Sequence, residues 1–275
     1  LGGVSPLGSR PGRTPPGLPM ADAGVGRVAD PAGGSWFVER LTEQLAVDAW
    51  GRMQGIEAMG GVVAALDSGE LQWAVEAAWE RRRAAIAHRR DPITGVSEFP
   101  DIDETPPAPQ ERAPAPETPI PALVPHRYAE PFEDQRARAD RHARATGERP
   151  AVFLAALGPS AVHGARLGFA ANLFAAGGIR AVVGELGPED DPGDAFARSG
   201  AALACICSSD EVYAERAAGV AAAIAGRGPA RLYLAGRAGD LAEALGAAGV
   251  DEFLAAGCDA VAALAGALDA AGVEP

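Results

Sequence analysis

The sequence predicts an α/β protein whose C-terminal half is a doubly wound, five-stranded parallel sheet. Three observations carry this reading. From residue 150 onward, short apolar runs alternate with longer helix-compatible runs. The apolar runs lack a strict in–out alternation, which is the pattern of strands covered on both faces. The turns after them are short and hold Gly, Ser or Asp, as strand-to-helix connections do.

Taken in order, residues 1–21 are rich in Gly, Pro, Arg and Ser, lack periodicity, and are expected to be disordered. Residues 22–100 read as helical. Phe37, Leu41, Leu45, Ala49, Met53 and Ile56 recur at helical spacing and predict a long helix over 36–59. Gly33-Gly34-Ser35 resembles a phosphate-cradling turn. No strand precedes it and no Lys follows at the right spacing, so Ser35 reads as the helix N-cap. Gly60-Gly61 ends the helix. A short helix is expected over 62–66 and a second long one over 71–88, with Trp73, Ala77 and Ile86 inward, stopped at Asp91-Pro92. Residues 93–96 are expected to form a short strand. No set of alternating strands surrounds these helices, so the region reads as the end of something larger.

Residues 101–149 read as a linker. Pro106, Pro107, Pro109, Pro114, Pro116, Pro119, Pro121 and Pro125 favour extended, semi-rigid chain. Residues 127–146 are charged, helix-compatible and expected on a surface. Residues 150–275 alternate cleanly. Strands are expected over 151–157, 180–184, 201–207, 231–235 and 252–255. Helices are expected over 162–176, 191–199, 211–225, 240–248 and 260–271. Five parallel strands with this loop pattern predict a flavodoxin-like domain.

The 275 residues carry a net charge of −13, which argues against a nucleic-acid partner, since phosphate binding needs clustered Lys and Arg. No stretch approaches the roughly 20 apolar residues of a membrane span, and nothing resembles a signal peptide. A cytoplasmic location is therefore expected. The three cysteines are too few and too irregularly placed for a disulfide framework. Cys205 and Cys207 share one face of an apolar strand and read as buried small hydrophobes rather than metal ligands.

Ligands of doubly wound sheets lie outside the carboxyl ends of the strands. His163 stands there, in Pro159-Ser160-Ala161-Val162-His163-Gly164-Ala165-Arg166, and it has no acid beside it. Arg81-Arg82-Arg83 and Arg89-Arg90 are candidates for phosphate contacts, but the interleaved Glu76, Glu80 and Asp91 favour a solvated or subunit-facing helix. His88, His126 and His142 have no metal-ligating constellation around them. No GxSxG turn supports a Ser/His/Asp triad.

Longer motifs carry a family resemblance. Asp30-Pro31-Ala32-Gly33-Gly34-Ser35-Trp36-Phe37-Val38-Glu39 resembles a segment near the end of the substrate barrel of methylmalonyl-CoA mutases. Ile56-Glu57-Ala58-Met59-Gly60-Gly61 and residues 89–100 follow in the family's order. Residues 129–136 and Gly177-Gly178-Ile179 are similar to the small, or beta, subunit of the heterodimeric enzyme. The resemblance implies that residues 22–100 are the last helices of a truncated (β/α)8 barrel. It implies that residues 150–275 are a cobalamin-binding-like domain. It also implies a fragment or a truncated gene.

In the family, the second domain of the large subunit binds adenosylcobalamin through DxHxxG, an SxL turn and a GG turn. Aligned on His163, this chain has Ala161 in place of the Asp and Arg166 in place of the Gly. Ser208-Ser209-Asp210 replaces the SxL turn, and Ala235-Gly236-Arg237 replaces the GG turn. The missing Asp would fix the imidazole tautomer and raise its basicity. His163 therefore reads as a degenerate cobalamin-motif residue, a cobalt ligand only if cobalt is bound. The implied role is a subunit, inactive alone and without catalytic residues, of a mutase interconverting (R)-methylmalonyl-CoA and succinyl-CoA. The implied partner is the large (alpha) subunit as a heterodimer, which would hold the adenosylcobalamin, with acyl-CoA as the substrate of the complex. A stand-alone cobalamin-binding or sensor module and a non-binding scaffold stay open beside it.

Overall fold

The computed structural model describes residue 27 and residues 29–104, 123–237 and 239–275. The expected disorder of residues 1–21 and most of the proline-rich stretch lie outside them. The chain divides into two compact units, residues 1–81 with 106–127 and residues 82–105 with 128–275.

The first unit is helical. α1 (Trp36–Ala58) starts at Ser35, whose extended backbone makes it the N-cap and whose hydroxyl accepts the Val38 N–H at 3.5 Å. It ends where Gly60 and Gly61 take φ of 100° and 88°, a conformation that side chains oppose. α2 (Gly61–Asp67) follows, and α3 (Glu70–Ala87) begins in this unit. The helices lie where their periodicity predicts, but the apolar face of α1 does not become a core among the described residues. No residue of α1 is buried, and Phe37 and Leu45 are 75% and 60% exposed. Trp73 of α3 is also exposed, whereas Ile86, beyond Arg81, is buried in the second unit. Periodicity identifies an apolar face. It does not say that the described residues supply something to cover it.

The second unit is the α/β domain. Its strands are β1 (Ala151–Leu157), β2 (Arg180–Leu186), β3 (Leu203–Cys207), β4 (Arg231–Ala235) and β5 (Glu252–Leu254). They form one all-parallel sheet in the order β2-β1-β3-β4-β5. This is the flavodoxin-like order, and its topological switch lies between β1 and β3. β3 is buried along its whole length, and β1 along all but its first residue, which explains why both read as unbroken apolar runs.

The connecting helices are α5 (Ser160–Ala176), α6 (Pro192–Ser199), α7, α8 (Ala242–Ala247) and α9 (Ala260–Ala270). α7 is continuous but mixed. It passes through Asp210–Val212, a π-helical turn at Tyr213–Ala217, and Ala218–Ala225. Alternate strand residues feed two cores. Phe153, Ala204, Ile206 and Leu234 pack in one cluster with Phe196 and Ile224. On α5, Phe174 meets the Tyr233 ring edge-on at 5.4 Å. Each buried aromatic of this kind stabilises the fold by about 1.5–3 kcal/mol. Cys205 and Cys207 are fully buried with sulfurs 4.0 Å apart, and burial pushes the Cys205 thiol well up.

Two segments before the sheet depart from expectation. Residues 93–96 form a turn rather than a strand. It is closed by the Thr94–Glu98 bridge and by the Ser97 hydroxyl, which accepts the Ile93 N–H at 2.9 Å. Gly95 at φ 81° bends the chain back before a ladder can start. The helix read within the linker, α4 (Glu130–Thr146), is an integral layer of the domain. It buries Phe132, Arg138 and Ala139. The Arg138 guanidinium donates to Asp269 Oδ1 at 2.5 Å, to the Val273 carbonyl at 2.8 Å and to the Glu274 carbonyl at 3.2 Å. One side chain thus ties α4 to the C-terminal end of the chain. Arg138→Ala is expected to lower the stability of the second unit by about 2 kcal/mol, seen as a lower urea midpoint with an unchanged slope.

Candidate functional site

The candidate site lies at the carboxyl edge of the sheet, at the switch between β1 and β3. β1 ends at Leu157, and Gly158-Pro159 turns the chain into α5. The first turn of α5 carries His163, which is 2% exposed and so lies inside the domain. Its Nδ1 is buried without a hydrogen-bond partner. Ala161, at the position where an acid would serve the imidazole, is exposed and offers none.

One turn further along α5, Arg166 reaches across the switch to the loop after β3. Its Nη1 donates to the Ser208 carbonyl at 2.8 Å, and its Nη2 donates to Asp210 Oδ1 at 2.5 Å. Its guanidinium lies 4.9 Å from the centre of the Tyr213 ring. Burial works against the cation, but the bonds to Asp210 and Tyr213 outweigh it and raise the Arg166 pKa above its ordinary value.

Ser208 is fully buried and meets partners with every polar group. Its hydroxyl donates to the Leu157 carbonyl at 2.8 Å, joining the ends of β3 and β1. Its N–H donates to the Tyr213 hydroxyl at 2.8 Å, and its carbonyl accepts from Arg166. Ser209 caps α7 by accepting the Val212 N–H. After β4, Gly236 takes φ 139°, and a Cβ there would lie 3.1 Å from the Arg166 guanidinium carbon. Arg237 is exposed. With Arg166, Tyr213, Asp240 and Leu241 it lines a cleft of about 540 Å³.

The structure therefore brings Arg166, Ser208 and Asp210 together and sets Gly236 against them. His163 is on the same helix but buried apart from the ion pair. Tyr213 was not singled out by sequence reasoning. The signal was present as one bulky, hydrogen-bonding aromatic in an otherwise Ala-rich helix, directly after a strand-end turn.

Two other histidines, His126 and His88, make local contacts. His126 stacks on Trp79 at 4.5 Å with Nε2 3.2 Å from Glu76, and His88 Nδ1 lies 3.0 Å from the Ala84 carbonyl. Arg89 pairs with Glu98 at 2.6 Å. Among the described residues, no group of three or more His, Cys, Asp or Glu is placed to hold a metal, and no helix is long and apolar enough to cross a membrane.

A family model described as Methylmalonyl-CoA mutase matches residues 20–128. A methylmalonyl-CoA mutase small subunit from Streptomyces virginiae is 49% identical over 255 residues, covering 92% of this chain and 40% of that protein. A small subunit of that name from Propionibacterium freudenreichii is 38% identical over 94% of this chain and 40% of its own length. A probable small subunit from Mycobacterium bovis is 44% identical over 91% of this chain and 39% of its own. The chain spans about two fifths of the length of these relatives.

The two polar links across the switch differ in burial, so they should differ in weight. Ser208→Ala leaves the Leu157 carbonyl without its partner and is expected to cost about 1–3 kcal/mol. Asp210→Ala removes a carboxylate that is 78% exposed and should cost less than about 1 kcal/mol. Urea denaturation of the two variants side by side checks the order.

Proposed function

The chain belongs to the methylmalonyl-CoA mutase family, and on that premise we propose that it is the C-terminal portion of the small subunit of an adenosylcobalamin-dependent mutase. The complex interconverts (R)-methylmalonyl-CoA and succinyl-CoA in the cytoplasm. The large subunit is its heterodimer partner and holds the adenosylcobalamin. This chain contributes structure and subunit contacts and has no catalytic residue of its own. Residues 22–100 are the C-terminal remnant of the acyl-CoA barrel, and residues 150–275 are a cobalamin-binding-like domain that keeps the fold without the cofactor.

The observation that supports this reading is the closed switch point. A ligand of a doubly wound sheet enters the crevice outside the strand ends. Here that crevice is crossed by Arg166 to Ser208 and Asp210 and by Ser208 to Leu157. A cobalt ligand would have to point out of the domain and be steadied by an acid on its second nitrogen. His163 is buried, its Nδ1 has no partner, and residue 161 is Ala. These residues do not fit adenosylcobalamin.

Two measurements test the proposal. Titration of the chain with adenosylcobalamin is expected to give no saturable spectral change at micromolar concentration. Micromolar binding that is lost in His163→Ala would overturn the reading in favour of a cobalamin-binding module. Co-expression with a large mutase subunit is expected to yield a stable complex. A chain that stays apart from the large subunit would refute the subunit role.

A further inference from the structure

We infer that the crevice at the carboxyl ends of β3 and β4 is a ligand site occupied from within, with the Tyr213 side chain as the bound group and Arg166 as its cover. This goes beyond the mutase reading, and the three contacts of the Tyr213 hydroxyl that carry it are not used there.

Backbone groups at and beyond the ends of parallel strands lose the ladder that would pair them, and when buried they need other partners. Here a single phenol oxygen meets three of them. The Tyr213 hydroxyl accepts the Ser208 N–H at 2.8 Å, donates to the Ala235 carbonyl at 2.7 Å, and lies 3.1 Å from the Ile206 carbonyl. These groups come from the ends of two neighbouring strands and the loop after one of them. That is how a bound aryl alcohol would be recognised. Burial pushes the phenol pKa up, so the hydroxyl keeps its proton and remains a donor.

The way Tyr213 is delivered supports the inference. A regular helix from Asp210 to Ala225 is interrupted at this residue by the π turn Tyr213–Ala217. π turns are rare and recur at functional sites, because one extra residue re-aims the side chain at that point. The ring arrives 3% exposed. Arg166 then lies against its outer side, with its position fixed by Ser208 and Asp210. Gly236 leaves room for it. Beyond the cover, the cleft lined by Leu234, Leu241 and Leu245 is what remains open. With Tyr213 truncated, the site would take a planar aromatic bearing one hydroxyl, held under a cation.

The test uses the full chain and p-cresol, which is the tyrosine side chain as a free molecule. Tyr213→Ala is expected to lower the thermal midpoint by roughly 10 °C, given the cost of emptying a buried aromatic position. Millimolar p-cresol should recover several degrees of that loss in a saturable way, and toluene, which lacks the hydroxyl, should recover less. The wild-type midpoint should not respond. Apolar cavities made by truncation bind matching aromatics in this manner. A Tyr213→Ala midpoint that responds to p-cresol no more than wild type overturns the inference. Should Tyr213→Ala fail to fold, Tyr213→Phe keeps the ring and removes only the hydroxyl. Hydrogen exchange at the Ser208 amide should then accelerate about tenfold, with β2 amides unchanged. Unchanged protection at Ser208 would equally overturn it.

Discussion

The carboxyl edge of the sheet depends on Ser208. It is a small polar residue with no exposure, standing directly after β3 where the parallel ladder stops. A buried hydroxyl, N–H and carbonyl at such a point would each cost about 1–3 kcal/mol if left unmet. Each is met by a different element: β1 through the Leu157 carbonyl, α7 through Tyr213, and α5 through Arg166. Three elements that approach the switch from different directions are thereby held to one residue. An apolar side chain there would leave the end of β1 unmatched.

The departures from the cobalamin motif then stop looking like independent losses. Arg166, where the motif has Gly, needs an acceptor for its second nitrogen, and Asp210 supplies it. It also needs space on the side of β4, and Gly236 leaves that space. Asp210 alone would place a lone carboxylate at a strand end. Arg166 alone would place a half-buried cation beside an aromatic ring with only a backbone carbonyl to meet it. The pair makes sense together, with Tyr213 as the surface on which the guanidinium rests. Arg237 is outside this set and stays exposed.

The sheet was legible in the sequence because a parallel strand buried on both faces has no polar position to confuse its pattern. Phe153 to Leu157 and Leu203 to Cys207 are apolar throughout for that reason. Helix positions were legible from periodicity and from caps such as Ser35. Features that depend on what lies across space were not. The 93–96 segment has the composition of a strand, but Gly95 and the Ser97 hydroxyl close it into a turn. Residues 130–146 have a charged composition that reads as surface, yet Arg138 is buried because Asp269 and the last carbonyls of the chain surround it. The spacing along α1 marks a helix, but it does not show that none of its residues is buried among the described ones. At the site, the position of His163 was legible but its inward orientation was not. Tyr213 stands out in the sequence as a bulky aromatic after the β3 turn, but its bonds to the ends of β3 and β4 are made across space and are not legible locally.

A cofactor that binds only the folded state stabilises it by an amount that grows with its concentration relative to Kd. A domain that relies on such a contribution is weaker whenever the cofactor is scarce. In this chain the strand ends that a ligand would satisfy are satisfied by Tyr213 and Ser208, and the space is taken by Arg166. The stabilisation is covalently attached and always present. On the proposed reading, this lets one subunit keep the shape needed for assembly without competing for the cofactor that its partner uses. On that same reading, the substitutions that remove binding are the ones that make the empty fold self-sufficient, and losing the cofactor while keeping the fold follows from a single set of contacts.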